Sequence, residues 1–152
     1  MTDKYLTVEF TVDATPEAAF AAINNPRGWW SAGITGGTTA VGDEFTYVYG
    51  DIHRSTQRVT ELVPGKRVVW HVAEGYLNFT EDPAEWTGTD VVFDITQLGD
   101  KTEVRLTHVG LTPDIECFEA CSKGWGYYAG ESLLALITTG AGKPNEFEAV
   151  QA

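Results

Sequence analysis

Between residues 44 and 109 the chain repeats one pattern. Short segments alternate polar with apolar residues, and turn signals of two or three residues separate them. Only one long apolar helical stripe follows, near the C-terminus. This combination leaves few folds open. Connections so short join antiparallel strands. A half-buried antiparallel sheet needs a cover on one face, and the stripe is the single long element able to supply it. In residues 44–49, Phe45, Tyr47 and Tyr49 alternate with Glu44, Thr46 and Val48. Gly50-Asp51 is a hairpin signal. Residues 52–63 read as the next strand, Pro64-Gly65-Lys66 as a turn and residues 67–73 as a third strand. Residues 80–86, with Asp82-Pro83, read as a loop. Residues 89–97 and 102–109 form a further hairpin about Gly99-Asp100.

The flanks complete the order. Residues 5–12 are a half-buried strand. Thr15 is an N-cap, Pro16 opens the helix and Glu17 complements its dipole. That helix carries Ala18, Ala19, Phe20, Ala22 and Ile23 and stops at Asn25-Pro26; residues 26–30 make one further short helical turn. Thr112-Pro113-Asp114 repeats the same start signal for the last helix. Its stripe runs through Phe118, Cys121, Trp125, Tyr128, Ala129, Ser132, Leu133 and Leu136 and ends near Gly140. Gly124, Gly126 and Gly130 inside it point to close approach or a kink. The expected fold is α+β: a curved antiparallel sheet wrapped around a long C-terminal helix, with two short helices after the first strand. One domain is expected over residues 1–143, with a loose tail over 144–152.

Charge narrows the function. The chain has 152 residues, 10 Lys and Arg against 22 Asp and Glu, and a net charge of −12. Nucleic-acid binding and docking on anionic lipid both need the opposite balance. No run of 18 apolar residues suggests a membrane span. Met1 to Tyr5 lack the features of a secretory signal, so a cytoplasmic location is expected. Cys117 and Cys121 are then thiols. Five Trp, six Tyr and seven Phe must fill a core, line a pocket or form an interface.

Strand parity puts Phe45, Tyr47, Tyr49, Trp70, Phe93, Ile95, Val104, Leu106 and His108 on the face opposite Phe118, Trp125 and Tyr128. This set is a candidate apolar pocket; the plainer reading is a closed core. Trp29 and Trp30 either gate the pocket mouth or divide into one buried and one exposed ring. His108 is a candidate general base or polar anchor, set against a core histidine satisfied by its neighbours. His53 shares parity with Ser55, Gln57, Val59 and Glu61, with Arg54 and Arg58 on the other face. His71 points outward. Cys117 and Cys121, four apart, read as small buried residues in preference to metal ligands, and no metal or cofactor is expected. Glu81, Asp82 and Glu85 read as a solvated loop. No Gly-x-Ser-x-Gly, His-Glu-x-x-His or P-loop is present, and Gly124-Trp125-Gly126 is no dinucleotide loop.

Several stretches together carry a resemblance: Thr15-Pro16 with Phe20, Trp29-Trp30, Gly42-Asp43-Glu44-Phe45, Glu61-Leu62-Val63-Pro64-Gly65-Lys66-Arg67-Val68-Val69-Trp70, and Glu85-Trp86-Thr87-Gly88-Thr89. Thr107-His108-Val109-Gly110-Leu111, Gly124-Trp125, Ser132-Leu133 and Leu136-Ile137-Thr138-Thr139-Gly140 complete it. The chain resembles the START-like (SRPBCC, helix-grip) superfamily. Within it, the chain resembles the small bacterial single-domain form of the family named for activators of the heat-shock-protein-ninety ATPase. The resemblance implies the helix-grip fold. Superfamily relatives bind or transport lipids and other apolar molecules, and some are cyclases or hydrolases. Eukaryotic activators carry a further N-terminal domain that binds the chaperone, which is not expected in 152 residues. Three functions follow, in order: binding of a small, largely apolar ligand by Trp30, Phe45, Tyr47, Tyr49, Trp70, Phe93, His108, Phe118, Trp125 and Tyr128; a cyclase- or hydrolase-type enzyme using His108; and a co-chaperone-like regulator with a chaperone partner. The sequence assigns no oligomeric state.

Overall fold

A computed structural model describes residues 5–31, 33–49, 53–78, 80–81, 83–113 and 115–143. The Gly50-Asp51 turn, Asp82, Asp114 and the 144–152 tail lie outside the described residues. The strands are β1 (Leu6–Val12), β2 (Thr35–Gly36), β3 (Glu44–Tyr49), β4 (His53–Val63), β5 (Arg67–Leu77), β6 (Asp90–Leu98) and β7 (Lys101–Val109). They form one antiparallel sheet in the order β1-β7-β6-β5-β4-β3-β2. Two short helices, α1 (Pro16–Ile23) and α2 (Pro26–Trp29), follow β1. The long helix runs through α3 (Phe118–Tyr127), a π-helical stretch at Tyr128–Leu133 and α4 (Leu134–Thr139). This is the helix-grip architecture.

Period-2 patterning sets the inner face. On β7, Thr102, Val104, Leu106 and His108 are buried, and on β6 Val91, Phe93 and Ile95 are. The outer face carries cross-strand ion pairs, Arg58 with Glu44 at 2.9 Å and Arg67 with Asp94 at 2.6 Å, and a hydrogen bond between His71 Nδ1 and the Asp90 carboxylate at 2.8 Å. At these exposures each ion pair contributes about 0–1 kcal/mol. One parity expectation fails. The register shifts between Val59 and Glu61, so a bulge at Thr60 turns Glu61 outward, where Arg67 Nε reaches it at 3.3 Å. β5 also extends past residue 73 to Leu77, because eleven-residue β4 carries pairing on to His53↔Leu77. Thr35–Gly36, expected as loop, pairs with Phe45 and Thr46.

α1 begins as its sequence dictates, with Thr15 Oγ1 accepting from Ala18 N–H at 3.1 Å. The last helix does not. Ile115 N–H donates to Thr112 O at 2.9 Å and Phe118 N–H to Ile115 O at 3.0 Å, and α3 starts at Phe118, six residues beyond the expected cap. Cys117, its N-cap residue, supplies no side-chain cap. The cap comes from another loop. Glu85 accepts from Glu116 N–H at 3.1 Å and Cys117 N–H at 3.0 Å, and Glu116 accepts in turn from Glu81 N–H at 2.8 Å. A carboxylate here satisfies otherwise unpaired donors at the positive end of the helix. The acidic loop is therefore no merely solvated segment. The helix closes at Gly140, in the left-handed region at φ 85° as a C-cap requires.

The core sits between the sheet and this helix. Both Trp29 and Trp30 are buried, so neither is the exposed ring of the sequence expectation. Trp29 stacks on Trp70 at 6.2 Å, and Trp70 meets Phe45 and Phe93 edge-on at 5.0 and 4.9 Å. Ser132 Oγ donates to Trp29 O at 2.7 Å and pins the π-helical stretch to α2. Glu85→Ala is expected to lower stability by about 1–2 kcal/mol, read as a reduced urea midpoint. Glu81→Ala, which leaves the Glu81 backbone donor in place, should stay within about 0.5 kcal/mol of the parent. Equal effects from the two variants would remove Glu85 as the cap.

Candidate functional site

The site begins with a missing side chain. A Cβ at Gly75 on β5 would lie 2.6 Å from Trp86 Cβ, so glycine alone lets the segment of residues 83–89 fold back onto the sheet. Thr87 Oγ1 accepts from Gly75 N–H at 3.0 Å and donates to Gly75 O at 3.2 Å. Gly88 N–H donates to Val72 O at 2.8 Å. The result is a buried Trp86 where the sequence suggested only a loop.

Beside it lies a cavity of about 80 Å³, lined by Trp30, Tyr47, His53, Trp86, Cys121, Gly124, Trp125 and Tyr128. Of these, His53, Gly124 and Tyr128 are half-buried and the other five are buried. Trp30 stacks on Tyr47 at 4.4 Å and leans on Trp125 at 4.9 Å. The His53 ring meets Trp86 edge-on at 4.4 Å and Tyr47 at 5.1 Å. A Cβ on Gly124 would meet nothing within 4 Å, so that glycine contributes empty space. No Asp, Glu, Lys or Arg lines this wall. Among the described residues no three His, Cys, Asp or Glu gather as a metal site.

Four residues singled out from the sequence meet at this cavity: Trp30, Tyr47, Trp125 and Tyr128. The other six do not line it. Phe45, Trp70 and Phe93 are in the packed core, while Tyr49 and Phe118 pack half-buried against that core. His108 is fully buried one layer behind. His53, Trp86, Cys121 and Gly124 complete the wall. For His53 the signal was its parity with Ser55 and Gln57. For Trp86 it was an apolar ring in a polar loop, combined with Gly75.

His108 has both ring nitrogens engaged. Trp125 Nε1–H donates to Nδ1 at 3.1 Å, and Nε2 lies 2.8 Å from Thr89 Oγ1. An indole only donates, so Nδ1 is the acceptor and the ring proton sits on Nε2. Nε2–H donates to Thr89 Oγ1, whose hydroxyl donates to Trp86 O at 2.6 Å. Burial, and then the neighbouring His53, push the His108 pKa down to about 3. His53 differs. Burial pushes its pKa down to about 4, and its Nε2 is buried without a hydrogen-bond partner. Gln57, fully buried, donates to Ser55 Oγ at 3.3 Å and does not reach the cavity wall.

Comparison with known proteins places this geometry. The solution structure of the Aha1 dimer from Colwellia psychrerythraea superposes with a TM-score of 0.74 at 25% identity, covering 93% of this chain and all of that one. DynU16, from the dynemicin biosynthetic locus, gives 0.69 at 14% identity over 93% of this chain and 49% of its own. Protein MLL2253 of Mesorhizobium loti gives 0.65 at 22% identity over 86% and 95%. The two less similar chains share the fold. No curated protein matches the chain. The family model described as Activator of Hsp90 ATPase homolog 1-like protein matches residues 13–138, from the segment before α1 into α4, and the chain belongs to this family.

Proposed function

We propose that this protein binds a small, uncharged, largely apolar ligand in the cavity between sheet and long helix, with His53 Nε2 orienting the ligand's polar end. One observation carries the reading: His53, whose Nε2 is buried without a partner, stands on the wall of a cavity otherwise lined by aromatic rings, Cys121 and Gly124. Buried polar groups are normally hydrogen-bonded, so a ligand atom that pairs with Nε2 recovers an interaction the protein alone leaves unmade. Size limits the ligand. An engineered cavity of about 150 Å³ holds benzene, so about 80 Å³ suits a few heavy atoms with the remainder projecting past Gly124 and Tyr128. The lining for this role is Trp30, Tyr47, His53, Trp86, Trp125 and Tyr128.

The enzymatic alternative on His108 has less support. General-base chemistry needs a nitrogen within reach of the reacting proton, and here both nitrogens are bound to Trp125 and Thr89. Its role in this reading is to position Trp125. Regulation of a chaperone ATPase has support from family membership and from no cavity residue.

Phenol, a planar probe with one hydroxyl, should quench the tryptophan fluorescence saturably. Gly124→Leu should abolish the effect by filling the cavity, and His53→Leu should weaken binding about 3- to 10-fold, the loss of one hydrogen bond. Unchanged affinity in Gly124→Leu would move the site elsewhere.

The histidines also set an acid limit. Unfolded, each binds a proton below about pH 6.5; folded, His53 and His108 resist it to about pH 4 and 3. The unfolded state therefore holds more protons in that window, and stability falls with falling pH by up to about 1.4 kcal/mol per pH unit per histidine. Urea melts from pH 6 to pH 4 should show His108→Gln losing stability less steeply than the parent. Parallel slopes would mean that His108 is not held neutral.

A further inference from the structure

Cys121 carries the one thiol on the cavity wall, and an indole N–H is directed at it. Trp86 Nε1–H donates to Cys121 Sγ at 3.3 Å. Cys117, fully buried, lies one turn earlier, where its backbone carbonyl accepts from Cys121 N–H at 2.8 Å. Side-chain hydrogen bonding with Cys117 is the largest influence and favours the Cys121 thiolate. Burial opposes it, Trp86 adds to it and the Glu85 charge opposes it; the net direction is down from the ordinary thiol value. Cys117 moves up, through its bond to Cys121, burial and the Glu85 carboxylate beside it. The first proton lost by this pair thus comes from Cys121. Its residual exposure is 9%, and it shares the cavity with the unpartnered His53 Nε2. Trp86 touches both, through its N–H to Cys121 and its face to the His53 ring.

We propose that Cys121 is a covalent attachment site in the cavity, taking up a small, uncharged α,β-unsaturated carbonyl compound as a thioether. The inference rests on the reading of the cavity as a small-ligand site. Aromatic walls without charge favour a flat neutral molecule, and a thiolate in such surroundings is a soft nucleophile. In the step, the Cys121 sulfur lone pair forms an S–C bond to the β-carbon. The carbon–carbon π bond breaks, and its electrons move to the carbonyl oxygen as an enolate. A solvent proton, equivalent to the one the thiol released, then adds to the α-carbon. No oxidant or reductant is consumed. His53, in the tautomer with its proton on Nε2, donates to the oxygen as charge develops there.

Methyl vinyl ketone is the probe and butan-2-one, its saturated analogue, the reversible competitor. Intact mass and peptide mapping should show one adduct, on Cys121. The rate should saturate with probe concentration, be slowed by butan-2-one and be lost in Gly124→Leu. Its pH profile should have a midpoint below that of free cysteine. Trp86→Phe and Cys117→Ala should each raise that midpoint and slow labelling several-fold at pH 7, while Cys117→Ser, which keeps a donor, should restore it; thermal melts confirm that each variant is folded. If phenol and butan-2-one bind saturably but Cys121 stays unlabelled, the covalent chemistry is wrong and the ligand site stands. If no probe binds or labels, both fail. Labelling that is linear in concentration, unprotected by butan-2-one or faster at Cys117 also overturns the proposal.

Discussion

A single helix has to cover the concave face of a seven-stranded sheet, and most of the molecule follows from that mismatch. One helix presents a narrow apolar stripe, whereas the sheet offers a broad curved surface. Large rings fill the difference. Trp29, Trp30, Trp70, Trp86 and Trp125 are all buried, joined by Phe45, Phe93 and Tyr47. Such rings cannot tile a concave volume completely, because they are rigid and prefer offset or edge-on contacts. The space left over is the cavity at Gly124.

The helix cannot hold its place by apolar contact alone. Glu85 caps its first turn, Trp86 donates to Cys121, Trp125 donates to His108, and Ser132 donates to Trp29. These bonds tie the helix to three other parts of the chain, the loop at Glu85 and Trp86, β7 and α2, and fix both its position along the sheet and its rotation. Glu85 and Trp86 are adjacent, so one short loop sets the helix start and one wall of the cavity together. Gly75 makes this possible by letting the loop approach the sheet. The neutral state of His108 belongs to the same arrangement, since its bonds to Trp125 and Thr89 require a single ring proton.

Much of this was legible in the residues. Alternation identified β3, β6 and β7 and placed Phe45, Tyr47, Phe93 and His108 inward. Thr15-Pro16 marked α1, and the four-residue spacing of Cys121, Trp125, Ala129 and Leu133 marked the buried stripe. The failures have physical causes. Thr112-Pro113 resembles a cap as strongly as Thr15-Pro16 does, but the partner that decides the matter, Glu85, is distant in sequence. Glu61 has inward parity until the extra residue Thr60 reverses it. Within the candidate site, aromatic type did not separate Trp70, in the packed core, from Trp30, on the cavity wall; both are buried rings on the same interface.

The sequence by itself determined the order of elements, the antiparallel pairing and the apolar stripe of the last helix, because these depend on local periodicity and short turns. Tertiary structure alone decided which rings meet empty space, which carboxylate caps α3 and which histidine is left with an open nitrogen. Those outcomes depend on contacts between residues far apart in the chain, such as Trp86 with Cys121 and Trp125 with His108. Hydrogen-bond partners and packing voids of this kind have no signature in the spacing of residues along it.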